Sequence, residues 1–202
     1  MSSTLTRRRG TRRKLTTTSG SWVVRHLVHT YPAYHIVVLD KLDYCSTLHN
    51  LTPITGRPNF TFYHGDITHP PTVLSALRTH AIDTVLHFAA QSHVDLSFGN
   101  SFHFTHTNVV GTHVLLESSK AHGIGLFIHV STDEVYGEVA PAAVDLLETA
   151  VLAPTNPYAA TKAAGEMLVQ AYSKSFNLPT IVVRSNNVYG PFVPSFLALR
   201  SR

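Results

Sequence analysis

The chain has 202 residues, 44% of them hydrophobic, with a formal net charge of +4 at pH 7 and one cysteine, Cys45. This length suits one domain with a sizeable core, and no apolar run reaches the roughly 18 residues that a membrane helix needs, so the composition excludes a membrane-spanning class. A single cysteine excludes an internal disulfide and fits a reducing compartment, so we expect a cytoplasmic protein.

The positive charge lies at the start of the chain. Residues 1–14 hold six of the 16 basic residues and no acid, so the remaining ten basic and 12 acidic residues give a net charge of −2. We expect residues 1–19 to form a disordered basic tail without a strand. An Arg-rich, acid-free start is also typical of a mitochondrial transit peptide, which is the alternative location. The tail lacks interleaved aromatic residues, which argues against nucleic-acid binding, although a basic-tailed nucleic-acid binder stays open as the least favoured function.

Apolar runs alternate with helical periods after the tail. A first helix begins at Ser21 and is ended by Pro32. The other predicted elements are strands at 35–40, 60–67, 83–90, 126–130 and 180–184, and helices at 70–80, 101–122 and 156–177. This alternation predicts an α/β fold, a doubly wound parallel (Rossmann-like) sheet with helices on both faces.

A polar cluster follows the apolar run 126–130. The sequence from Val130 to Gly137 reads Val-Ser-Thr-Asp-Glu-Val-Tyr-Gly. Ligands bind at the carboxyl ends of strands in open α/β sheets, and a hydroxyl with two carboxylates is costly to bury without a purpose. Asp133 and Glu134 suit acid–base chemistry, because close like charges favour one protonated and one ionised group. The alternative is a pair of exposed turn residues.

A second pair of candidate residues lies on the helix 156–177. Tyr158 and Lys162 are about one helical turn apart and therefore share a face. A nearby ammonium group favours phenolate and so lowers the pKa of a phenol. We therefore expect Tyr158 to act as a base near neutral pH.

These two motifs carry a resemblance to a known family. Tyr-x-x-x-Lys after a strand end bearing Ser131 and Thr132 resembles the short-chain dehydrogenase/reductase superfamily. The string from Ser131 to Gly137 resembles the nucleotide-sugar 4,6-dehydratases, above all those acting on dTDP-glucose; sister epimerases usually have small or hydroxyl residues at 133 and 134. The resemblance implies an NAD-binding Rossmann-like domain at 20–191 and a C-terminal tail at 192–202, without the usual first strand and the C-terminal substrate domain.

The resemblance implies an NAD-dependent lyase that performs an internal redox dehydration. Thr132 and Tyr158 would act on the sugar 4-hydroxyl, and Lys162 would hold the nicotinamide ribose. Glu134 would take the C5 proton, and Asp133 would protonate the departing C6 hydroxyl. The product would be a 4-keto-6-deoxy sugar nucleotide. Ser92, Thr132 and Asn187 are the implied substrate contacts.

The resemblance also implies a cofactor site. Gly20 matches the last glycine of the family's loop, whereas Lys14 and Thr17 stand at the two earlier glycine positions. Asp40 ends a strand 20 residues after Gly20, which is the spacing of the ribose-binding acid and favours NAD over NADP. The other implied cofactor contacts are Asp66, Ile67, Ala89, Ala90, Thr107, Tyr158 and Lys162.

Several alternatives stay open. Within enzymes they are a UDP-glucose 4,6-dehydratase and a sugar-nucleotide epimerase; outside enzymes it is a non-catalytic Rossmann-like binding module. The 14 histidines include the pairs His26/His29 and His103/His106, but no acid or cysteine completes a ligand set, so we expect no metal. The family pairs through helices such as 101–122 and 156–177, which makes a homodimer the expected assembly.

Overall fold

The computed structural model describes residues 3–6, 18–43, 46–138 and 146–188. The strands are β1 Ser3–Thr6, β2 Ile36–Asp40, β3 Phe60–His64, β4 Thr84–His87, β5 Leu126–Thr132 and β6 Thr180–Ser185. The α-helices are α1 Thr18–Thr30, α2 Pro70–Thr79, α3 Val94–Gly99, α4 Ser101–Phe104, α5 Gly111–His122 and α6 Pro157–Phe176. Two 3₁₀ helices span Leu48–Ile54 and Asp133–Tyr136, and a π-helix spans Thr105–Val110.

The strands form one sheet in the order β3-β2-β1-β4-β5-β6, and the pairs β2/β3, β4/β5 and β5/β6 are parallel. All five residues of β2 are buried, as expected for a strand covered on both faces. The helices pack in two groups, α1 with the 3₁₀ helix 48–54, and α2, α5 and α6 side by side. The predicted doubly wound, Rossmann-like sheet is confirmed.

The N-terminal segment corrects one expectation. We expected no strand within residues 1–19, yet β1 lies between β2 and β4, in the place of the family's first strand. It runs antiparallel to both neighbours, so Thr6 pairs with Thr84 at the amino end of β4. The strand satisfies backbone groups of β2 and β4 that would otherwise lack partners. Sequence reasoning missed it because four residues without an apolar run leave no pattern.

Helix boundaries differ in two further places. Helix α1 begins at Thr18 rather than Ser21, so Gly20 lies in its first turn. The helix predicted at 101–122 is divided into α4, the π-helix and α5, while α3 occupies a stretch predicted as loop. π-Helical turns are frequent at functional sites, and this one places Asn108 inward. The predictions for Cys45 and for the tail 192–202 concern residues outside the described ranges.

Two buried histidines lie side by side at the centre of the sheet. His87 of β4 and His129 of β5 are paired residues, and their rings are 5.1 Å apart between centroids. Burial, followed by the nearby Lys162 ammonium, lowers the pKa of both imidazoles well below the usual value. Both histidines are therefore neutral in the folded chain at neutral pH.

This burial predicts acid sensitivity of the fold. The unfolded imidazoles titrate near pH 6.5, so their contribution to stability is complete above that pH and is lost as the pH falls toward the lowered folded pKa. The expected loss is about 1.4 kcal/mol of unfolding free energy per histidine for each pH unit below 6.5. Urea unfolding at pH 7.5 and 5.5 should show a smaller loss for His129→Leu than for the wild type. The exposed His106→Gln is the control, and equal losses in all three proteins would contradict the account.

Candidate active site

The site begins where β5 ends. Thr132 is the last residue of β5, and its hydroxyl accepts a hydrogen bond from the backbone N–H of Glu134 at 3.2 Å, which caps the 3₁₀ helix 133–136. The same hydroxyl donates to Asp133 Oδ1 at 3.2 Å. Hydroxyl capping of this kind is why a threonine followed by polar residues turns sharply at a strand end. The turn, termed the acid turn below (residues 133–136), presents both carboxylates beside Thr132.

Tyr158 joins this cluster from α6. Its side chain is almost fully buried, and its phenol lies near enough to interact with the Thr132 hydroxyl, Glu134 and Asp133. The structure therefore brings together four of the five residues that the sequence nominated for chemistry. Lys162, one turn further along α6, is buried and donates to the carbonyl oxygen of Val130 at 2.7 Å.

The expected effect of Lys162 on Tyr158 is wrong for this structure. Burial raises the pKa of Tyr158, and the charges of Glu134 and Asp133 raise it further against a lowering by Thr132. Lys162 is not among the groups that shift this pKa, and its ammonium donates to the Val130 carbonyl instead. Tyr158 consequently keeps its proton at neutral pH.

The pKa of Lys162 is itself shifted. Burial lowers its pKa to about 8, against the opposing charge of Glu166 one turn further along the helix. Part of the Lys162 population is therefore uncharged slightly above neutral pH.

This shift is measurable. A ¹³Cε-lysine NMR titration should show Lys162 with a midpoint of about 8, whereas ordinary lysines titrate near 10.4. Glu166→Gln removes the negative charge that favours the ammonium and should lower the midpoint further. Lys162→Met assigns the resonance. A midpoint in the ordinary range, or no change in Glu166→Gln, would contradict the described environment.

An ion pair between α6 and β6 supports the site. Glu166 is fully buried, and Arg184 of β6 donates to its carboxylate through Nε at 3.1 Å and Nη2 at 2.8 Å. Arg184 Nη1 also donates to the Tyr136 hydroxyl at 2.7 Å and the Glu148 carbonyl at 2.9 Å. One guanidinium therefore connects α6, β6 and the acid turn. Sequence reasoning missed this pair, although an acid four residues after Lys162 on a buried helical face was a usable signal.

A second brace comes from the π-helix. The Asn108 side chain accepts from the Gln91 backbone N–H at 2.6 Å and donates to the Gln91 carbonyl at 3.0 Å. It also donates to the Thr161 hydroxyl at 2.9 Å, and that hydroxyl donates to the Tyr158 carbonyl at 2.7 Å. Asn108 thus ties the loop after β4 to the helix that carries Tyr158.

The predicted cofactor residues lie along the carboxyl ends of β2, β3 and β4. Asp40 is buried, and its Oδ1 accepts from the Leu42 backbone N–H at 2.7 Å. Burial raises the pKa of Asp66, but hydrogen bonds from Thr68 and the Lys41 cation hold it below the usual value. The remaining predicted contacts in these loops and on the π-helix are all buried: Ile67, Ala89, Ala90 and Thr107.

Two predicted substrate residues follow the ends of the strands on either side of β5. Ser92 follows β4 and Asn187 follows β6, and both are exposed. Within the described ranges, neither side chain hydrogen-bonds to Thr132, the acid turn or Tyr158. Lys14 and Thr17 lie outside those ranges.

The sheet order, with a hydroxyl at the end of β5 and Tyr158 and Lys162 on the next helix, defines the class of extended short-chain dehydrogenase/reductases. The model of the GDP-mannose 4,6 dehydratase family matches residues 18–198, and the chain belongs to this family.

Similar proteins include the Arabidopsis thaliana trifunctional UDP-glucose 4,6-dehydratase/UDP-4-keto-6-deoxy-D-glucose 3,5-epimerase/UDP-4-keto-L-rhamnose-reductase RHM3, 57% identical over 89% of this chain and 28% of the relative. The Mus musculus dTDP-D-glucose 4,6-dehydratase is 48% identical over 89% of this chain and 52% of the relative. The crystal structure of the Streptomyces venezuelae dTDP-glucose 4,6-dehydratase DesIV with NAD and TYD bound has a TM-score of 0.83 at 39% identity, covering 87% of this chain and 55% of that one. The chain thus spans about a quarter to about half the length of these relatives.

The described part of the chain lacks two kinds of feature. None of its helices combines the length and the apolar character needed to cross a membrane. No group of three or more His, Cys, Asp or Glu side chains in it could hold a metal ion.

The glycine that ends the acid turn supplies a testable contact. Gly137 has a φ of +79°, and a Cβ there would lie 2.0 Å from the carbonyl oxygen of Ala153. Gly137→Ala should therefore destabilise the chain by more than the roughly 1 kcal/mol that a positive φ alone costs. Gly56→Ala is the matched control, because its φ is +83° but nothing lies within 4 Å of the added Cβ. Equal unfolding free energies of the two variants would contradict the packing.

Proposed function

We propose that this chain carries the catalytic part of a nucleotide-sugar 4,6-dehydratase, a lyase that converts dTDP-glucose to dTDP-4-keto-6-deoxyglucose. The observation that carries the proposal is the meeting of Thr132, Asp133, Glu134 and Tyr158 at one strand end. The relatives that act as dTDP-D-glucose 4,6-dehydratases, such as the mouse enzyme, support the assignment.

NAD is the proposed cofactor, and several described residues fit it. Ala89 and Ala90 are small and buried, so a ligand can approach the backbone after β4. Thr107 Oγ1 is buried and has no hydrogen-bond partner among the described residues, which suits a group awaiting a ligand. In this proposal Asp40 would bind a ribose hydroxyl and Lys162 would bind the nicotinamide ribose. When bound, NAD supplies the hydride acceptor and donor of an internal redox cycle.

The chain's own residues then move protons. Thr132 and Tyr158 would hold the sugar 4-hydroxyl; the phenol would first release its own proton to water, and the resulting phenolate would then accept the 4-hydroxyl proton. A ketone at C4 makes the C5 proton removable, and Glu134 takes it. Asp133 gives a proton to the C6 hydroxyl, so that water leaves.

The two carboxylates are suited to separate roles because different donors hold them. Asp133 Oδ1 accepts from the Thr132 hydroxyl, whereas Glu134 Oε2 accepts from Asn156 Nδ2 at 2.9 Å. Each carboxylate therefore has its own fixed place beside the phenol. This convergence supports the proposed enzyme over a non-catalytic module.

UDP-glucose is the second candidate substrate. It is favoured by the UDP-glucose 4,6-dehydratase relatives of Arabidopsis thaliana, of which RHM3 is 57% identical to this chain, against 48% for the mouse dTDP-D-glucose enzyme. The Thermotoga maritima UDP-glucose 4-epimerase has a TM-score of 0.74 at 32% identity, but the acid pair at 133 and 134 favours dehydration over epimerisation.

Assembly and location are also part of the proposal. The exposed apolar residues Val110, Met167 and Phe176 on the π-helix and α6 support a homodimer that pairs through these helices. The single cysteine supports a reducing compartment such as the cytoplasm.

The base role of Glu134 is tested by solvent exchange. With NAD and dTDP-glucose or UDP-glucose in D₂O, Glu134→Gln should leave NAD reduction by substrate detectable and lower deuterium exchange at C5 by about 10² or more. The exposed Glu138→Gln is the control and should exchange like the wild type. Undiminished exchange in Glu134→Gln would remove this residue from the base role, and the substrate that yields a 4-keto product identifies the nucleotide.

Cofactor binding is tested separately by calorimetry. Titration of the chain with NAD should release or absorb heat with saturation. An absence of binding would overturn the cofactor proposal and favour the non-catalytic module.

A further inference from the structure

Asn156 lies at the joint between the two halves of the site. It is the residue before α6, with extended backbone angles, and its Oδ1 accepts from the Ala159 backbone N–H at 2.8 Å. This is a standard N-cap, which satisfies one of the free donors of the first helical turn. Tyr158 follows two residues later, so the cap also fixes the position of the backbone that carries the Tyr158 phenol.

The other end of the same amide reaches the acid turn. Asn156 Nδ2 donates to Glu134 Oε2 at 2.9 Å. One planar carboxamide therefore holds the start of α6 with its oxygen and the Glu134 carboxylate with its nitrogen. Because the carboxamide is planar, the two contacts cannot move independently.

The surrounding backbone keeps this arrangement in register. The Ala153 N–H donates to the Val135 carbonyl at 3.0 Å, and Gly137 leaves no room for a side chain against the Ala153 carbonyl. The segment that enters α6 thus lies along the acid turn, and Asn156 meets Glu134 at the end of that contact.

We propose that Asn156 is a positioning residue, which fixes the Glu134 carboxylate relative to the Tyr158 phenol. The inference rests on the proposed function, in which Glu134 takes the C5 proton while Tyr158 holds the 4-oxygen. C4 and C5 are adjacent carbons of one sugar ring, so the Glu134 carboxylate must keep a fixed separation from the Tyr158 phenol. A capping residue shared by both provides it.

The residue type allows the two roles to be separated. Asn, Asp and Ser cap helices about equally well. Asp cannot donate to Glu134 and places a like charge beside it, and Ser is too short to span both contacts. Asn156→Asp and Asn156→Ser should therefore keep the wild-type unfolding curve while releasing Glu134.

The contact is tested first without substrate or cofactor. In a ¹H–¹⁵N spectrum of the full chain, the Asn156 side-chain amide resonance should move as acid protonates Glu134. The movement should vanish in Glu134→Gln and persist in Asp133→Asn; the other titratable groups at this turn are Asp133, Tyr136 and Tyr158. A resonance that does not move in the wild type, or that still moves in Glu134→Gln, would overturn the proposal.

Measurements of enzyme turnover provide the second test of the proposal. Asn156→Ser and Asn156→Asp should lower kcat and C5 exchange at least tenfold while leaving KM within twofold, since neither change touches a substrate contact. Wild-type exchange in both folded variants would overturn the positioning role. If the wild-type chain turns over neither sugar nucleotide, the proposed function fails by itself, and the amide titration still decides whether Asn156 holds Glu134.

Discussion

The contact between Thr132 and Tyr158 is the interaction on which the site depends, because it joins two elements far apart in the sequence. Thr132 ends β5, and Tyr158 begins α6 after a long connection. Every chemical assignment requires these ends to meet. The Arg184–Glu166 ion pair and the Asn108 hydrogen bonds hold α6 against the sheet from two sides, so the meeting is built into the packing rather than left to one weak contact.

The electrostatics of the cluster follow from burial. The phenol is covered by protein and faces two carboxylates, which favours its neutral form and raises its pKa. The lysine one turn away is also buried, and its lowered pKa of about 8 weakens its charge near neutral pH. The site thus holds a phenol that keeps its proton, and one helical turn away a lysine that can lose its proton slightly above neutral pH.

Sequence reasoning recovered the parts of the fold that have strong local patterns. The strand predicted at 126–130 is present and continues to Thr132, and Asp40 and the helix of Tyr158 lie where they were predicted. It missed β1 because four residues beside arginines have no apolar pattern, and their strand arises from the unpaired edges of β2 and β4. It also misjudged Tyr158, because spacing shows that Lys162 shares its face but not that the ammonium turns toward Val130.

The central claim is that one set of residues acts at C4, C5 and C6 of a single bound sugar, so that hydrogen removed at C4 returns at C6. The most direct measurement uses dTDP-glucose labelled with deuterium at C4 and mass spectrometry of the product. The account predicts a 4-keto-6-deoxy product that keeps the deuterium at C6. A product with no deuterium at C6, or with the label at C4 of an epimer, would contradict it.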